Sequence, residues 1–122
     1  MKLVDTSSWI QQLRKGGLPE VRERVERLLV NGEAAWCAPV RLELWSGVGR
    51  DPERAVLREF AMILPDFPIT FEIWRMAEFM AERGRAKGLQ APAMDILIAA
   101  CARSHKVGIE HNDSHFDWLM EI

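Results

Sequence analysis

Four acidic residues lie in apolar surroundings, where short strand-like segments end or within apolar helical segments. They are Asp5, Glu43, Asp95 and Asp113. Carboxylates rarely stay charged in a hydrophobic interior without a counter-charge. In alternating α/β folds ligands bind at the carboxyl ends of the strands, and several carboxylates that converge there would repel one another unless a hard divalent cation lay between them. The pattern therefore predicts an α/β fold with a metal site built from oxygen ligands.

The order of secondary structure along the chain supports that fold class. Apolar segments at residues 2–5, 34–38 and 107–111 favour strands, and residues 65–69 favour a loop or a short extended segment. Apolar residues at helical spacing, with Pro or Gly near the ends, predict helices elsewhere. The predicted helices are residues 6–14, 19–30, 39–47, 51–64, 71–87, 92–104 and 114–120. Such alternation implies parallel strands with helices on both faces of the sheet. Thr6 or Ser7 is expected to cap the first helix, and the alternative is that Asp5 caps it from the end of the strand.

Composition limits the protein to a small globular class. A chain of 122 residues that is 48% hydrophobic is expected to form one domain, residues 1–122, with one core. No apolar run approaches the roughly 20 residues that span a bilayer, and no signal peptide is recognisable. Cys37 and Cys101 lie in apolar segments without metal-type spacing. They are expected to be buried thiols, which favours a reducing cytoplasm.

The net charge of −2 conceals a basic surface. Without the four acids named above, 14 Asp and Glu remain against 16 Lys and Arg. A basic rim around an acidic centre suits a metal-dependent nuclease, because the rim holds phosphates while the centre holds cations. The alternative is a set of solvated helix faces, since glutamates alternate with several of these arginines as helical pairs. The basic clusters are Arg14-Lys15, Arg22/Arg24/Arg27, Arg50/Arg54/Arg58 and Arg83/Arg85/Lys87.

The four acids occur in sequence blocks that resemble those of the PIN-domain ribonucleases, in particular the VapC-type toxins of bacterial and archaeal toxin–antitoxin pairs. The blocks are Asp5-Thr6-Ser7-Ser8-Trp9, Leu42-Glu43-Leu44, Met94-Asp95-Ile96-Leu97-Ile98-Ala99-Ala100 and His111-Asn112-Asp113-Ser114-His115-Phe116. Each block alone is weak evidence. Together they extend over the whole chain, in the order and at the spacings of that family.

The resemblance implies an α/β/α sandwich around a mostly parallel sheet and Mg²⁺- or Mn²⁺-dependent cleavage of RNA. It also implies a homodimer, which we expect to involve the long helix 71–87, and inhibition by a small antitoxin that inserts into the active-site groove. The family's catalytic and metal-ligand positions correspond here to Asp5, Glu43, Asp95 and Asp113. Two supporting polar positions correspond to Ser7 and Asn112.

The sequence departs from the family pattern in two places. Family members usually carry a second Asp two positions after the fourth acid, and here that position is His115. This departure leaves the second metal position open. The sequence also ends soon after Phe116, where relatives usually continue into a further short strand, which leaves the sheet edge open.

Two histidines and two tryptophans near these acids allow other interpretations. His111 and His115 are four residues apart, which suggests zinc, but no Cys or Glu pattern completes a zinc ligand set. His115 is otherwise a surface histidine or a phosphate or proton-transfer partner. Trp9 and Trp45 could stack on RNA bases, but packing in the core or against an antitoxin is the favoured interpretation for both.

Two rival functions come from different classes. A phosphoacceptor receiver domain also places acids at strand ends, but such domains resemble one another in a pair of acids after the first strand, and here Asp5 stands alone. A PIN-like module that binds RNA or a partner without cutting is the second rival. The presence of all four acids argues against it, and a metal-dependent cleavage assay separates the two.

Overall fold

The computed structural model describes residues 1–122 and contains four strands and seven helices. In chain order they are β1 (Lys2–Val4), α1 (Thr6–Leu13), α2 (Pro19–Val30), β2 (Ala34–Cys37), α3 (Ala38–Gly47), α4 (Asp51–Ile63), β3 (Asp66–Phe67), α5 (Phe71–Ala86), α6 (Ala93–Ser104), β4 (Gly108–Glu110) and α7 (His115–Leu119). The predicted elements are therefore present in the predicted order. The segment expected to be a loop or short extended piece provides β3, an edge strand.

The four strands form one sheet in the order β3-β2-β1-β4, and every neighbouring pair is parallel. Lys2 of β1 lies opposite Ala34 of β2 on one side and opposite Gly108 of β4 on the other. Because all strands run the same way, their carboxyl ends meet at one edge of the sheet. The expected sheet is thus confirmed, and it is entirely rather than mostly parallel.

Helices cover both faces of this sheet. Leu3 and Val4 are both 0% exposed, although consecutive strand residues point to opposite faces. All four residues of β2 are buried as well. These strands are therefore buried on both faces, as expected for a parallel sheet in an α/β/α sandwich, and the three-layer architecture is confirmed.

Aromatic packing places one of the two tryptophans discussed above in the core. The Trp9 ring is fully buried and lies 4.9 Å, centroid to centroid, from the Phe60 ring, and Trp36 packs edge-on against the same ring. Trp9 is therefore a core residue and is not available to RNA bases. Trp45 remains exposed, with the Arg58 guanidinium 6.0 Å from its ring centroid.

The first helix is capped by Asp5, and the prediction of Thr6 or Ser7 as the cap is wrong. Asp5 has an extended backbone, and its side chain accepts a hydrogen bond from the Ser7 amide. Thr6 is already the first residue of α1 and has a helical backbone, whereas a cap residue is the non-helical residue directly before the helix. Thr70 does cap α5, where its hydroxyl accepts a hydrogen bond from the Ile73 amide.

Glu110 joins the end of β4 to two helices. Its carboxylate is 5% exposed and accepts a hydrogen bond from the Ser8 hydroxyl of α1 at 2.8 Å. Arg24 of α2 donates to both of its oxygens, from Nε at 2.8 Å and from Nη2 at 3.2 Å. A buried carboxylate needs such partners. One member of the basic clusters therefore has a structural role inside the protein.

The two cysteines are free and buried, as expected. Two effects raise the pKa of the Cys37 thiol: the larger is a hydrogen bond with the Cys101 thiol, and the second is burial. The Cys101 sulfur in turn donates weakly to the Phe67 carbonyl at 3.9 Å. Among the helices, none combines the length and the apolar character that crossing a bilayer requires.

Candidate metal centre

The carboxyl edge of the sheet brings the predicted acids together from four elements. Asp5 follows β1, and its amide donates to the Glu110 carbonyl at the end of β4 at 2.9 Å. This bond holds the start of α1 beside the loop that carries Asp113. Asp95 lies in the first turn of α6, and Glu43 lies within α3. The carboxylates of Asp5, Asp113 and Glu43 all act electrostatically on Asp95, so the four acids share one site.

Asp5 is the most buried of the four and carries an unsatisfied oxygen. The residue is 2% exposed, and its Oδ2 accepts hydrogen bonds from the Ser7 amide at 2.9 Å and from the Ser7 hydroxyl at 2.6 Å. Its Oδ1 is buried without any hydrogen-bond partner. Burial raises the pKa of Asp5, the bonds from Ser7 oppose the rise, and the charge of Asp113 adds to it. An unpaired buried carboxylate oxygen is costly, and a bound cation would satisfy it.

Ser7 connects Asp5 to the opposite side of the site. While its hydroxyl donates to Asp5, its oxygen accepts a hydrogen bond from the Asn112 amide at 2.9 Å. Ser7 therefore ties the loop after β4 to the first acid. The contact of Asn112 with the site is made by its backbone, and its side chain is exposed. The supporting position predicted for Asn112 thus works here through the main chain.

His115, which stands where family members usually carry a second Asp, faces the acids. Its Nδ1 lies 3.2 Å from Oδ2 of Asp95 and 3.1 Å from Oδ1 of Asp113. Its backbone amide also donates to Oδ1 of Asp113 at 3.0 Å. One potential ligand atom from each of Asp95, Asp113 and His115 lies within 4.8 Å of the other two. An Nδ1–H tautomer would donate to the carboxylates in this arrangement.

Asp95 has the clearest electrostatic perturbation at the site. Burial, then the charges of Asp5 and Asp113, raise the pKa of Asp95 to about 6, and the hydrogen bond from His115 opposes the rise. Like charges held close together disfavour simultaneous ionisation. A divalent cation would reverse this effect, because it lets all the carboxylates stay ionised.

Glu43 approaches the site from its outer side. The Thr6 hydroxyl donates to Oε1 of Glu43 at 2.7 Å, and this bond fixes the carboxylate beside the start of α1. The sequence suggested Thr6 only as a helix cap and not as a partner of Glu43. The one sequence signal for this contact was the position of Thr6 directly after the first acid. Its partner could not be read from the sequence, because only the fold brings Glu43 near that hydroxyl.

The donor set suits a hard cation better than zinc. The carboxylates of Asp95 and Asp113 meet one imidazole, and those of Asp5 and Glu43 are near enough to act electrostatically on Asp95. Oxygen-rich sites of this kind favour Mg²⁺ or Mn²⁺. His111 does not complete a two-histidine set. Its Nδ1 accepts a hydrogen bond from the Asp113 amide at 3.3 Å, while its Nε2 lies 3.6 Å from Asp117. The residues present, including the unpaired oxygen of Asp5, therefore fit the divalent metal that the family resemblance implies.

Comparisons with known proteins agree with this geometry. The PIN domain family model matches residues 2–119. Ribonuclease VapC11 of Mycobacterium tuberculosis (strain ATCC 25618 / H37Rv) is 33% identical over 100% of this chain and 93% of its own length. VapC20 of the same species, described as a sarcin–ricin loop cleaving toxin, superposes with a TM-score of 0.75 at 16% identity, over 97% of this chain and 94% of its own. VapBC-5, a toxin–antitoxin system of that species, gives 0.68 at 21% identity, over 97% and 89%. These two structures show the fold.

We expect Asp95→Asn to stabilise the metal-free protein at pH 7. A folded-state pKa of about 6, against about 3.9 in an unfolded chain, means that ionising Asp95 costs the native state roughly 2–3 kcal/mol. This raised pKa makes the native state lose stability as pH rises from about 4 to 6, and the loss persists above 6. In urea unfolding with chelator present, the variant should be more stable than wild type by about 1–2 kcal/mol at pH 7. The gain is smaller than the full cost of ionisation because the variant also loses a charge-assisted bond to His115.

The difference between Asp95→Asn and wild type should largely disappear near pH 4, where Asp95 is protonated in the folded state and about half protonated in the unfolded chain. Glu82→Gln, at an exposed acid on α5, is the matched control and should change stability little at either pH. A stabilisation that is the same at pH 4 and pH 7 would show that charge repulsion is not its cause.

Proposed function

Because this chain belongs to the PIN-domain family, we propose that it is a metal-dependent endoribonuclease, the toxin of a VapBC-type toxin–antitoxin pair, with residues 1–122 as a single nuclease domain. Named ribonucleases among its full-length relatives support the activity. The observation that carries the proposal is the unpaired buried Oδ1 of Asp5 beside the group formed by Asp95, Asp113 and His115.

The catalytic carboxylates in this proposal are those of Asp5, Glu43, Asp95 and Asp113, which would hold Mg²⁺ or Mn²⁺. A bound cation of this kind activates water at neutral pH and stabilises charge on phosphoryl oxygens. The protein's contribution is to keep the carboxylates in place before metal arrives. Ser7 orients Asp5 through two hydrogen bonds, and Thr6 orients Glu43 through one.

His115 positions two of the acids. Its Nδ1 lies within hydrogen-bonding distance of both Asp95 and Asp113, and its hydrogen bond opposes the rise in the pKa of Asp95, which favours the ionised carboxylate that a metal requires. No protein side chain needs to form a covalent intermediate with the RNA, since phosphodiester hydrolysis needs only water, metal and positioned carboxylates. Ser7 is therefore assigned an orienting role rather than a nucleophilic one.

A groove beside Glu43 supports an antitoxin partner. Apolar side chains of Ile10, Leu13, Leu44 and Val48 line a cavity of about 240 Å³ that includes Glu43. Apolar residues of a short antitoxin segment would bury there, and a basic side chain would pair with the acids. VapBC-5, which shares this fold, is a member of a toxin–antitoxin family. A binding module without cleavage activity is the less favoured alternative, because such a module has no need for converging carboxylates.

The homodimer is proposed on the surface of α5. Phe71, Trp74 and Phe79 are large apolar side chains of this helix that remain more than half exposed. Trp74 also borders a cavity of about 180 Å³, lined mostly by apolar residues of α5 and α6. Exposed apolar patches of this kind favour association.

Removing one acid should abolish RNA cleavage without unfolding the protein. We expect Asp5→Asn and Asp95→Asn each to lower the cleavage rate of single-stranded RNA by at least about 100-fold, because each removes a charged oxygen from the metal site. Circular dichroism and melting temperature should match or exceed wild type. Glu82→Gln is the control that removes an exposed acid elsewhere. Wild-type turnover by either Asn variant would disprove the site assignment.

The same cleavage assay tests the metal. Activity should be present with Mg²⁺ or Mn²⁺, lost in excess chelator, and weak with Ca²⁺, whose larger and looser coordination positions water poorly. Full activity in excess chelator would leave the ribonuclease proposal standing but remove the metal from it.

His115→Asp should raise the affinity for a second Mg²⁺ or Mn²⁺. The change restores an anionic oxygen ligand at a position that faces Asp95 and Asp113, and carboxylate suits these ions better than imidazole. Calorimetric titration with Mn²⁺ should show tighter binding or higher stoichiometry than wild type. His115→Ala should weaken binding less than Asp113→Ala. Unchanged stoichiometry and affinity in His115→Asp would place residue 115 outside the metal's coordination.

Light scattering at tens of micromolar should give the mass of a dimer. Trp74→Glu should shift the protein towards monomer, since it places a charge within the proposed apolar contact. Met62→Glu, at an exposed apolar residue of α4, is the matched control and should remain dimeric. A wild-type monomer at these concentrations would contradict the proposal.

A further inference from the structure

We propose that Arg14, Lys15, Arg22 and Arg50 form a subsite that binds the phosphodiester backbone of single-stranded RNA away from the scissile bond. The inference rests on the proposed ribonuclease function and extends it to how the substrate is held. The sequence alone left undecided which of the basic clusters are solvated helix faces and which are free to bind a ligand.

The structure divides the 16 cations into two groups. Most have an intramolecular partner: a carboxylate for Arg24, Arg27, Arg41, Arg50 and Arg54, an aromatic ring for Arg58, Arg75 and Arg83, and a backbone carbonyl for Arg103. The cations without an ion pair, a side-chain hydrogen bond or a stacked ring are Lys2, Arg14, Lys15, Arg22, Arg85, Lys87 and Lys106.

Three of these unpartnered cations meet in one place. Arg14, Lys15 and Arg22 line a surface cavity of about 300 Å³ together with Arg50, whose only carboxylate partner is Glu53, at 3.8 Å. Glu53 is also the only acid in the lining. The cations come from separate elements: the segment after α1, the body of α2 and the residue before α4. The fold therefore concentrates positive charge that internal pairs do not neutralise.

This basic cavity is continuous with the groove beside the acids. Leu13, Arg14 and Glu53 line both the basic cavity and the apolar cavity that includes Glu43. Arg14 lies at the far end of α1 from Asp5, about 14 Å away at 1.5 Å per helical residue. Stacked nucleotides rise roughly 3.4 Å per phosphate, and an unstacked strand extends further per phosphate, so a strand of about four nucleotides or fewer reaches from the acids to the basic cavity.

The chemistry of this path favours a single-stranded RNA. The protein has a net charge of −2 and places four acids where the scissile phosphate must lie, so overall charge does not attract a polyanion. A local cluster of cations supplies the attraction that the net charge lacks. Between the acids and the cations, the walls formed by Ile10 and Val48 are apolar, which suits the faces of unstacked bases.

Charge removal in the subsite, matched by the same charge removal elsewhere, tests the inference. The test variant is Arg14→Gln/Lys15→Gln/Arg22→Gln. The control is Arg85→Gln/Lys87→Gln/Lys106→Gln, which neutralises three exposed and equally unpartnered cations. Binding of a mixed-sequence 12-nucleotide RNA is measured by fluorescence anisotropy with Mg²⁺ at several salt concentrations. All proteins carry Asp95→Asn, so that the RNA stays intact.

We expect the test variant to bind RNA on the order of tenfold more weakly than the control at moderate salt, with a salt slope smaller by about 2, since each lost single-strand phosphate contact contributes about 0.7. In proteins with Asp95 restored, the test variant should raise KM for RNA cleavage and leave kcat unchanged, because these contacts hold substrate and transition state equally. The single variant Arg22→Gln should show the same effects at smaller size.

Equal RNA binding and equal salt slopes in the test and control variants would overturn the inference. Weaker binding to the co-expressed antitoxin, with RNA binding unchanged, would also overturn it and make the cavity a protein-docking surface. Wild-type protein that binds RNA through these cations but never cleaves it would instead overturn the proposed ribonuclease function. The two failures are therefore distinguishable.

Discussion

The parallel pairing of β1 with β4 is the constraint on which the site depends. The last bond of this pairing, from the Asp5 amide to the Glu110 carbonyl, holds the start of α1 against the loop that carries Asp113. Ser7 strengthens the same junction, because its hydroxyl contacts both Asp5 and the Asn112 amide. Arg24 and Ser8 stabilise the same junction by donating hydrogen bonds to the buried Glu110 carboxylate. Polar groups that would be costly to bury singly thus satisfy one another and leave the Asp5 Oδ1 free for a ligand.

The repulsion among the acids and the positive charge of the basic cavity have opposite effects on the binding of RNA. Burial and the neighbouring carboxylates raise the pKa of Asp95 to about 6, which costs the metal-free protein stability, and a cation would relieve that cost on binding. The same negative charge would repel RNA, and the basic cavity that Arg14, Lys15 and Arg22 line offsets this at a distance set by the length of α1. In the proposed function, α1 therefore links the stability of the metal-free protein to metal binding and to substrate binding.

Sequence predicted the element order because hydrophobic period, proline and glycine act locally. The Thr70 cap of α5 is local in the same way, because its hydroxyl bonds to the amide three residues further on. Sequence patterns left the outcome open, or gave a wrong one, where a neighbour in space decided it. Asp5 rather than Thr6 or Ser7 caps α1, since β1 ends at Val4 and Asp5 is the extended residue directly before the helix. The two residues of β3 become a strand only because β2 offers a free edge. Trp9 enters the core because Phe60 of a distant helix packs on it.

By itself, the sequence determined the chemistry that is available: four carboxylates in apolar segments, a histidine in place of a fifth acid, and a surplus of cations outside them. Only the tertiary structure decided which of these groups meet. It turned His115 towards Asp95 and Asp113, joined Thr6 to Glu43, and paired Arg24 internally while leaving Arg22 free. The physical reason is that composition and periodicity act over a few residues, whereas electrostatic contacts depend on distances of a few ångströms between segments far apart in the chain.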